Sequence, residues 1–417
     1  LLVAALSGCS GDDHPPPPPT DGGIRFDSGD GGPVERDGAT DDGAIDADAA
    51  TVDGGGGGCR LEGEVMKLAT DEISHAVRLV DVAVSGAMFV VSWTDARSAI
   101  ADAFVYALPV AGATGTEYRV TNDFVLTQDA QLAARADGFI IGWGDTTAGT
   151  YEVFARPLDA SGAPAGPAVR VTNNLLREDS LRLTGLGGST TMAAWVESDG
   201  LGGAATTRAV ALDLSGAPTG SPRVAGPSTT DARSLALSRL GTGAALAWTE
   251  SGTVYLQPLT SAGAMLGTAA PINTEANASS TPSLALDDTG GAVAFGVLIG
   301  GARDEVRLRT IGAAGATVGP ETILTAPPAT GGDPSIARYA TGYAVAYRVS
   351  GTGGIGMIRL AFATSAGEYA GSLDIAETTT IGGAPRLAVA ADGRILVAWM
   401  GGDATNVAVS AAKVVCE

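Results

Sequence analysis

The feature that most constrains this chain is a repeat of about fifty residues, because a fixed period restricts the fold to arrays of one structural unit. An apolar run ending in a large aromatic recurs seven times: Phe89–Trp93, Phe139–Trp143, Thr191–Trp195, Ala244–Trp248, Ala292–Phe295, Ala344–Tyr347 and Ile395–Trp399. Successive aromatics lie 47 to 53 residues apart, and the residue before each is always Ser, Gly or Ala. A small residue at a fixed place implies a neighbour that packs closely against it. Upstream of each run lies a second apolar segment, among them Val82-Ala83-Val84, Leu132-Ala133-Ala134, Leu181-Arg182-Leu183 and Leu387-Ala388-Val389. Turn residues such as Asp137-Gly138, Gly290-Gly291 and Asp392-Gly393 separate the two segments, so each pair reads as a β-hairpin.

A third strand follows each aromatic, as in Val153–Arg156 or Val254–Gln257. A Gly-containing turn, as in Ala160–Gly166, leads to a fourth, such as Ala168–Thr172. Four short antiparallel strands in about fifty residues is the size of a β-propeller blade. Blades stack face to face, so their inner strands are buried on both sides and need not alternate polar with apolar. The expectation is an all-β, seven-bladed β-propeller over residues 59–417. Blade seven has a third strand at Asn406–Lys413 and no fourth strand after it. Residues 63–70 read like the fourth strands of other units and are expected to complete it, closing the ring and covering its edges. Cys59, before that strand, and Cys416, after its partner, should then meet and form a disulfide. In the chain-entropy view, such a staple contributes on the order of 4–5 kcal/mol.

The chain before residue 59 is different material. Residues 10–58 hold 12 acidic and 2 basic side chains, 13 Gly and 6 Pro. Such a segment buries too little apolar surface to offset its chain entropy and is expected to be a disordered tether. Asp27–Gly31 and Asp37–Asp42 lack the ligand spacing of a calcium loop. Residues 1–9 are an apolar run ending in Leu6-Ser7-Gly8-Cys9 and read as the end of a secretory signal. Nine residues are about half of what a membrane-spanning helix needs.

That run resembles the lipobox of bacterial lipoproteins, which implies lipidation of Cys9 and a place in the cell envelope. Ser10 after the Cys implies the outer membrane by the sorting rule of some Gram-negative bacteria. Residues 60–417 resemble the seven-bladed propellers of secreted and lipid-anchored bacterial proteins. The likeness is strongest to those with Trp-x-Asp-x-Arg after the second strand, here Trp93-Thr94-Asp95-Ala96-Arg97. The first unit alone has the whole motif, and Met400-Gly401 follows the Trp of the last. The resemblance implies architecture and no particular activity.

Composition narrows the function. With 46 acidic against 25 basic residues the chain lacks the cationic excess that phosphate backbones demand, so nucleic acid is excluded as a partner. Aromatic residues make up only 5%, and a core of Ala, Val and Leu builds few large ligand pockets. His14 lies in the tether and His75 at the entrance to blade one, leaving one folded His to serve as a base or ligand. There is no nucleophile elbow, phosphate loop or zinc spacing. The Asp boxes of sialidase-like propellers, the repeated Trp motif of quinone-dependent ones and integrin-like calcium repeats are absent.

One set of acids recurs. Asp95, Asp145, Glu197 and Glu250 each stand two places after a Trp, and Asp129, Glu178, Asp179, Asp231 and Asp333 stand where the chain enters an innermost strand. Propeller connectivity gathers both groups on one face. Two readings follow: a rim of carboxylates suited to calcium, or a recurring structural device in which each acid bonds turn backbone or an Arg such as Arg97, Arg177 or Arg233. Recurrence in four blades favours the structural role, and no cofactor is expected. The expected function is a monomeric binding or scaffold module, lipid-anchored and without catalysis, offering loops to a protein or glycan. The longest of these loops are read at Glu197–Thr206, Gly296–Asp304 and Arg348–Gly356. The alternative is a polysaccharide hydrolase or lyase working through a pair of rim carboxylates.

Overall fold

The computed structural model describes residues 58–69, 78–97, 100–122, 125–147, 149–199, 205–229, 234–300, 303–325, 330–340, 342–350, 356–378, 384–402 and 407–416. The expectations for Cys9, the tether, His14, His75, Asp231 and Arg233 lie outside these residues. The described chain forms 29 strands in seven antiparallel sheets, a seven-bladed β-propeller. In blade two the strands run outward in chain order: Thr127–Arg135, Gly138–Asp145, Glu152–Leu158 and Val169–Arg170. Blades one, three, four, five and six repeat this order.

Blade seven is built from both parts of the chain. Its inner strands are Arg386–Val389, Ile395–Gly402 and Val407–Cys416, and its outermost strand comes from the segment before blade one. The closing strand differs from the expected 63–70. It consists of Cys59–Leu61 and Met66–Lys67, separated by a bend in which Gly63 takes φ +84°. Gly63 turns the chain off the ladder, which resumes with Met66 opposite Ala411. The cysteines therefore lie inside the ladder rather than beyond its ends. Cys59 stands opposite Cys416 with Cα atoms 3.9 Å apart, and the disulfide is formed.

The apolar clusters lie between neighbouring blades. One joins Phe89, Val91 and Trp93 of blade one to Leu396, Ala398 and Ala411 of blade seven. Phe89, Val90, Val91 and Trp93 are all fully buried, as expected for a second strand covered on both sides. Three of the aromatic anchors also stack on an aromatic cross-strand neighbour: Trp93 on Phe104 and Trp143 on Phe154 at 6.1 Å, and Trp248 on Tyr255 at 5.6 Å. The small residue before the aromatic has a direct cause. A Cβ at Gly142 would stand 3.0 Å from Leu183 and 3.1 Å from Leu181, the inner-strand leucines of the next blade.

Two further devices repeat. A side-chain oxygen at the end of the outermost strand accepts the N–H of the third strand, as in Thr121 to Ala103 (2.9 Å), Thr172 to Val153 (2.8 Å) and Asn273 to Val254 (2.8 Å). The turn between third and fourth strands uses an acid to hold its own backbone. Asp159 Oδ1 accepts from the amides of Ser161 and Ala163, and Gly162 at φ +82° turns against blade one. A Cβ there would meet Ala107 Cβ at 2.7 Å.

Two expected loops begin and end in strand. In blade five the second and third strands pair from Gly290–Gly312 out to Ile299–Arg303, and in blade six from Gly342–Thr364 out to Ser350–Gly356. Val297, Leu298, Ile299 and Val349 carry the apolar pattern past the aromatic anchor, and the hairpins extend with it.

Candidate functional site

The acids that follow the aromatic anchors are engaged where their strands end. Trp93 Nε1 donates to Asp95 Oδ2 at 3.2 Å, Trp143 Nε1 to Asp145 Oδ2 at 3.1 Å and Trp248 Nε1 to Glu250 Oε2 at 3.5 Å. The second oxygen of Asp95 accepts the amide of Arg97, and that of Asp145 the amide of Thr147. Arg97 also pairs with Asp95 and Glu117. Arg177 pairs with Asp179. A carboxylate is suited to this post because it satisfies a buried indole N–H and a turn amide together.

Blade three departs from this scheme. Glu197 accepts from Arg208 Nε at 3.0 Å and from Asn174 Nδ2 at 3.3 Å, while the buried Trp195 Nε1 has no partner among the described residues. Glu178 lies across the ladder from Glu197 and accepts from Asn174 Nδ2 at 2.8 Å, with its other oxygen buried and unpartnered. Burial first, and then the nearby charges of Glu152 and Glu197, push the Glu178 carboxyl up to about 8 against the opposing Asn174 hydrogen bond.

Of the residues expected at the entrances to innermost strands, Asp129, Glu178, Asp179 and Asp333 sit inside those strands. Asp129, Ser180 and Asp333 occupy matching β-bulges in blades two, three and six, at φ of 57°, 59° and 55°. A bulge absorbs an extra residue without ending the ladder, so the strands start earlier than their apolar triplets. Asp129 Oδ2 accepts from Ser180 N of the next blade at 3.2 Å, and Asp333 lies 4.0 Å from Arg348. The acids do not converge on one point. Among the described residues no group of three or more His, Cys, Asp or Glu is placed to hold a metal ion.

Two residues beyond each bulge comes a position that sequence reasoning passed over. The register sets Asp81, Gln131, Arg182, Ala236, Ser283, Ser335 and Arg386 opposite the seven small residues that precede the aromatics. All seven line one cavity of about 330 Å³ on the axis of the ring. Several of them tie their blade to the next. Leu132 N donates to Asp81 Oδ2 at 2.8 Å, Ile336 N to Ser283 Oγ at 3.1 Å and Leu387 N to Ser335 Oγ at 3.3 Å. Arg182 reverses the polarity, its Nε donating to Leu235 O at 2.7 Å.

Burial raises the Asp81 carboxyl, opposed by the Leu132 amide and by Arg386 and Arg182. Burial, and then the charge of Arg386, lower the Arg182 guanidinium. Three charged residues at one register, Asp81, Arg182 and Arg386, were the sequence signal for this lining. Each sits beside an apolar triplet and so looked like an ordinary strand residue.

No protein-family model matches the sequence, and no curated protein matches it. Among solved structures, a protein of unknown function from Dyadobacter fermentans aligns with a TM-score of 0.51 at 12% identity. The alignment covers 86% of this chain and all of that one. A prolyl endopeptidase aligns with a TM-score of 0.47 at 13% identity, over 82% of this chain and 47% of its own. An endo-arabinase from Bacteroides thetaiotaomicron aligns with a TM-score of 0.37 at 12% identity, over 85% and 99%. At 12% identity the likeness to the Dyadobacter fermentans protein is one of fold.

Proposed function

We propose that this chain is an extracytoplasmic binding and scaffold module that offers the channel-mouth face of a rigid propeller to a protein or glycan partner. It is lipidated at Cys9 and held at the outer membrane of a bacterial envelope. The observation that carries the binding reading is how the rim acids are used. Asp95, Asp145 and Glu250 each hold an indole N–H, and Asp129 holds the amide of Ser180 in the next blade. Carboxylates spent in this way stiffen a scaffold and do not reach a substrate. The test is saturable binding to an array of envelope proteins and glycans, set against turnover of labelled polysaccharides; binding without turnover is expected. Incorporation of labelled palmitate, lost in Cys9→Ala together with membrane retention, tests the anchor.

One observation favours the hydrolase or lyase reading. Glu178, whose carboxyl is pushed up by burial, lies across the ladder from Glu197, and an acid of raised pKa facing a second carboxyl is the form that acid–base catalysis takes. Turnover abolished by Glu178→Gln or Glu197→Gln would put this reading first.

A further inference from the structure

Closing the ring brings Arg182 and Arg386 to one cavity with no carboxylate in ion-pair contact with either among the described residues, although the charge of Asp81 acts on both. Arg182 commits Nε to Leu235 O and Nη1 to Leu181 O, and Arg386 commits Nη1 to Pro385 O. The remaining guanidinium nitrogens have no hydrogen-bond partner among the described residues, and neither Arg forms an ion pair there. The acids of the same cavity are turned elsewhere. Asp81 directs both oxygens at the backbone amides of Val82 and Leu132, and Asp333 stands at the mouth near Arg348. Arg386 keeps Nε and Nη2 as an adjacent pair of donors, the fork that matches a carboxylate with two parallel hydrogen bonds, and Arg182 keeps Nη2.

The other lining groups limit the charge and shape of a ligand. Asp81 and Asp333 limit the negative charge that the two guanidiniums accept, which favours a monoanion over a dianion such as the doubly charged form of phosphate. The hydroxyls of Ser283 and Ser335 accept backbone amides and retain their protons to donate, and Gln131 brings an amide to the same ring. A cavity of about 330 Å³ stands at the small end of ligand sites, which run from about 300 to 1,000 Å³. We infer that the axial channel is a binding site for a hydroxylated monocarboxylate of hexuronate size, with Arg182 and Arg386 holding its carboxylate. This rests on the reading of the protein as a binding module and names the class of group that module takes.

Titration calorimetry of the full chain with sodium D-glucuronate, D-glucose, L-lactate and inorganic phosphate tests it. Saturable glucuronate binding is expected, at least tenfold tighter than each of the other three. Arg386→Gln should weaken it at least tenfold with folding retained, because the Arg386 side chain hydrogen-bonds only to the carbonyl of the adjacent Pro385 among the described residues. Arg182→Gln should do the same, with Arg182→Lys used if loss of the bond to Leu235 lowers the midpoint. Arg239→Gln, on an exposed ion pair with Asp288, should bind as the parent does. Absence of glucuronate binding, equal binding of glucose, lactate or phosphate, or an unaltered affinity in Arg386→Gln would overturn the inference. Arg386-dependent hydrolysis of p-nitrophenyl glucuronide would support the site and at the same time break the binding-module reading.

Discussion

Blade two and blade seven reach the same four-stranded sheet by different means. Blade two is one continuous stretch, and its fastenings are local: Trp143 to Asp145, Thr172 to Val153 and to Glu152, Arg170 to Glu152, and the Asp159 turn. Blade seven joins segments 357 residues apart in sequence and has Gly401 two places after its Trp399, where blade two has Asp145. It uses long-range clamps instead. The disulfide closes one end of its outer ladder, Arg394 grips Glu62 with Nε at 2.9 Å, and the buried Lys413 Nζ donates to the carbonyls of Pro109, Val110 and Gly112 in blade one. Local hydrogen bonds suffice where chain connectivity already holds strands together. Where connectivity is missing, bringing the strands together costs loop-closure entropy, and a covalent link removes that cost from folding.

The largest effect expected from this contrast is at the seam. Cys59→Ser or Cys416→Ser, or reduction of the parent, should lower unfolding stability by about 4–5 kcal/mol, read from denaturant melts with and without reductant. An unchanged midpoint on reduction would mean that the seam holds without its staple, and the contrast between the blades would fall. In the contiguous blade the sensitive point is a backbone turn. Gly162→Ala places a methyl at φ +82° against Ala107 and should cost about 1–3 kcal/mol in the same melts. A neutral result there would show that the turn is not fixed by its neighbour.

The smallest effect is at Arg394, whose pair with Glu62 is solvent-exposed and screened by salt. The hydrogen bond from Arg394 holds the Glu62 carboxyl below its ordinary 4.5. The stability it adds is thus present above 4.5 and lost as pH falls through the lowered folded value. Arg394→Gln should therefore lower the melting temperature slightly at neutral pH, leave it unchanged at pH values below the lowered folded value, and so flatten the acid limb of the profile. A large loss at neutral pH would make the exposed clamp as important as the disulfide.

Much of this was legible in the sequence, for reasons that differ by element. The aromatic anchors and their small neighbours recur because every blade meets the next in one way, as Gly142 does with Leu181 and Leu183. The pairing of Cys59 with Cys416 followed from counting strands in the last unit. The form of the closing strand was not legible, because the bend at Gly63 interrupts a pattern that reads as continuous. The bulges at Asp129, Ser180 and Asp333 were hidden too, since an extra residue on one strand shows itself only against its partner.

By itself the sequence determined the number of blades, their order and the pair of segments that closes the ring. All three rest on period and local apolar pattern, which each unit carries whether or not the others are present. The tertiary structure alone decided what faces the axis. Asp81, Arg182 and Arg386 come from blades one, three and seven, and each reads as an ordinary strand residue in its own blade. Their meeting depends on seven separate registers and on closure of the ring, which places desolvated charges from distant parts of the chain in one cavity.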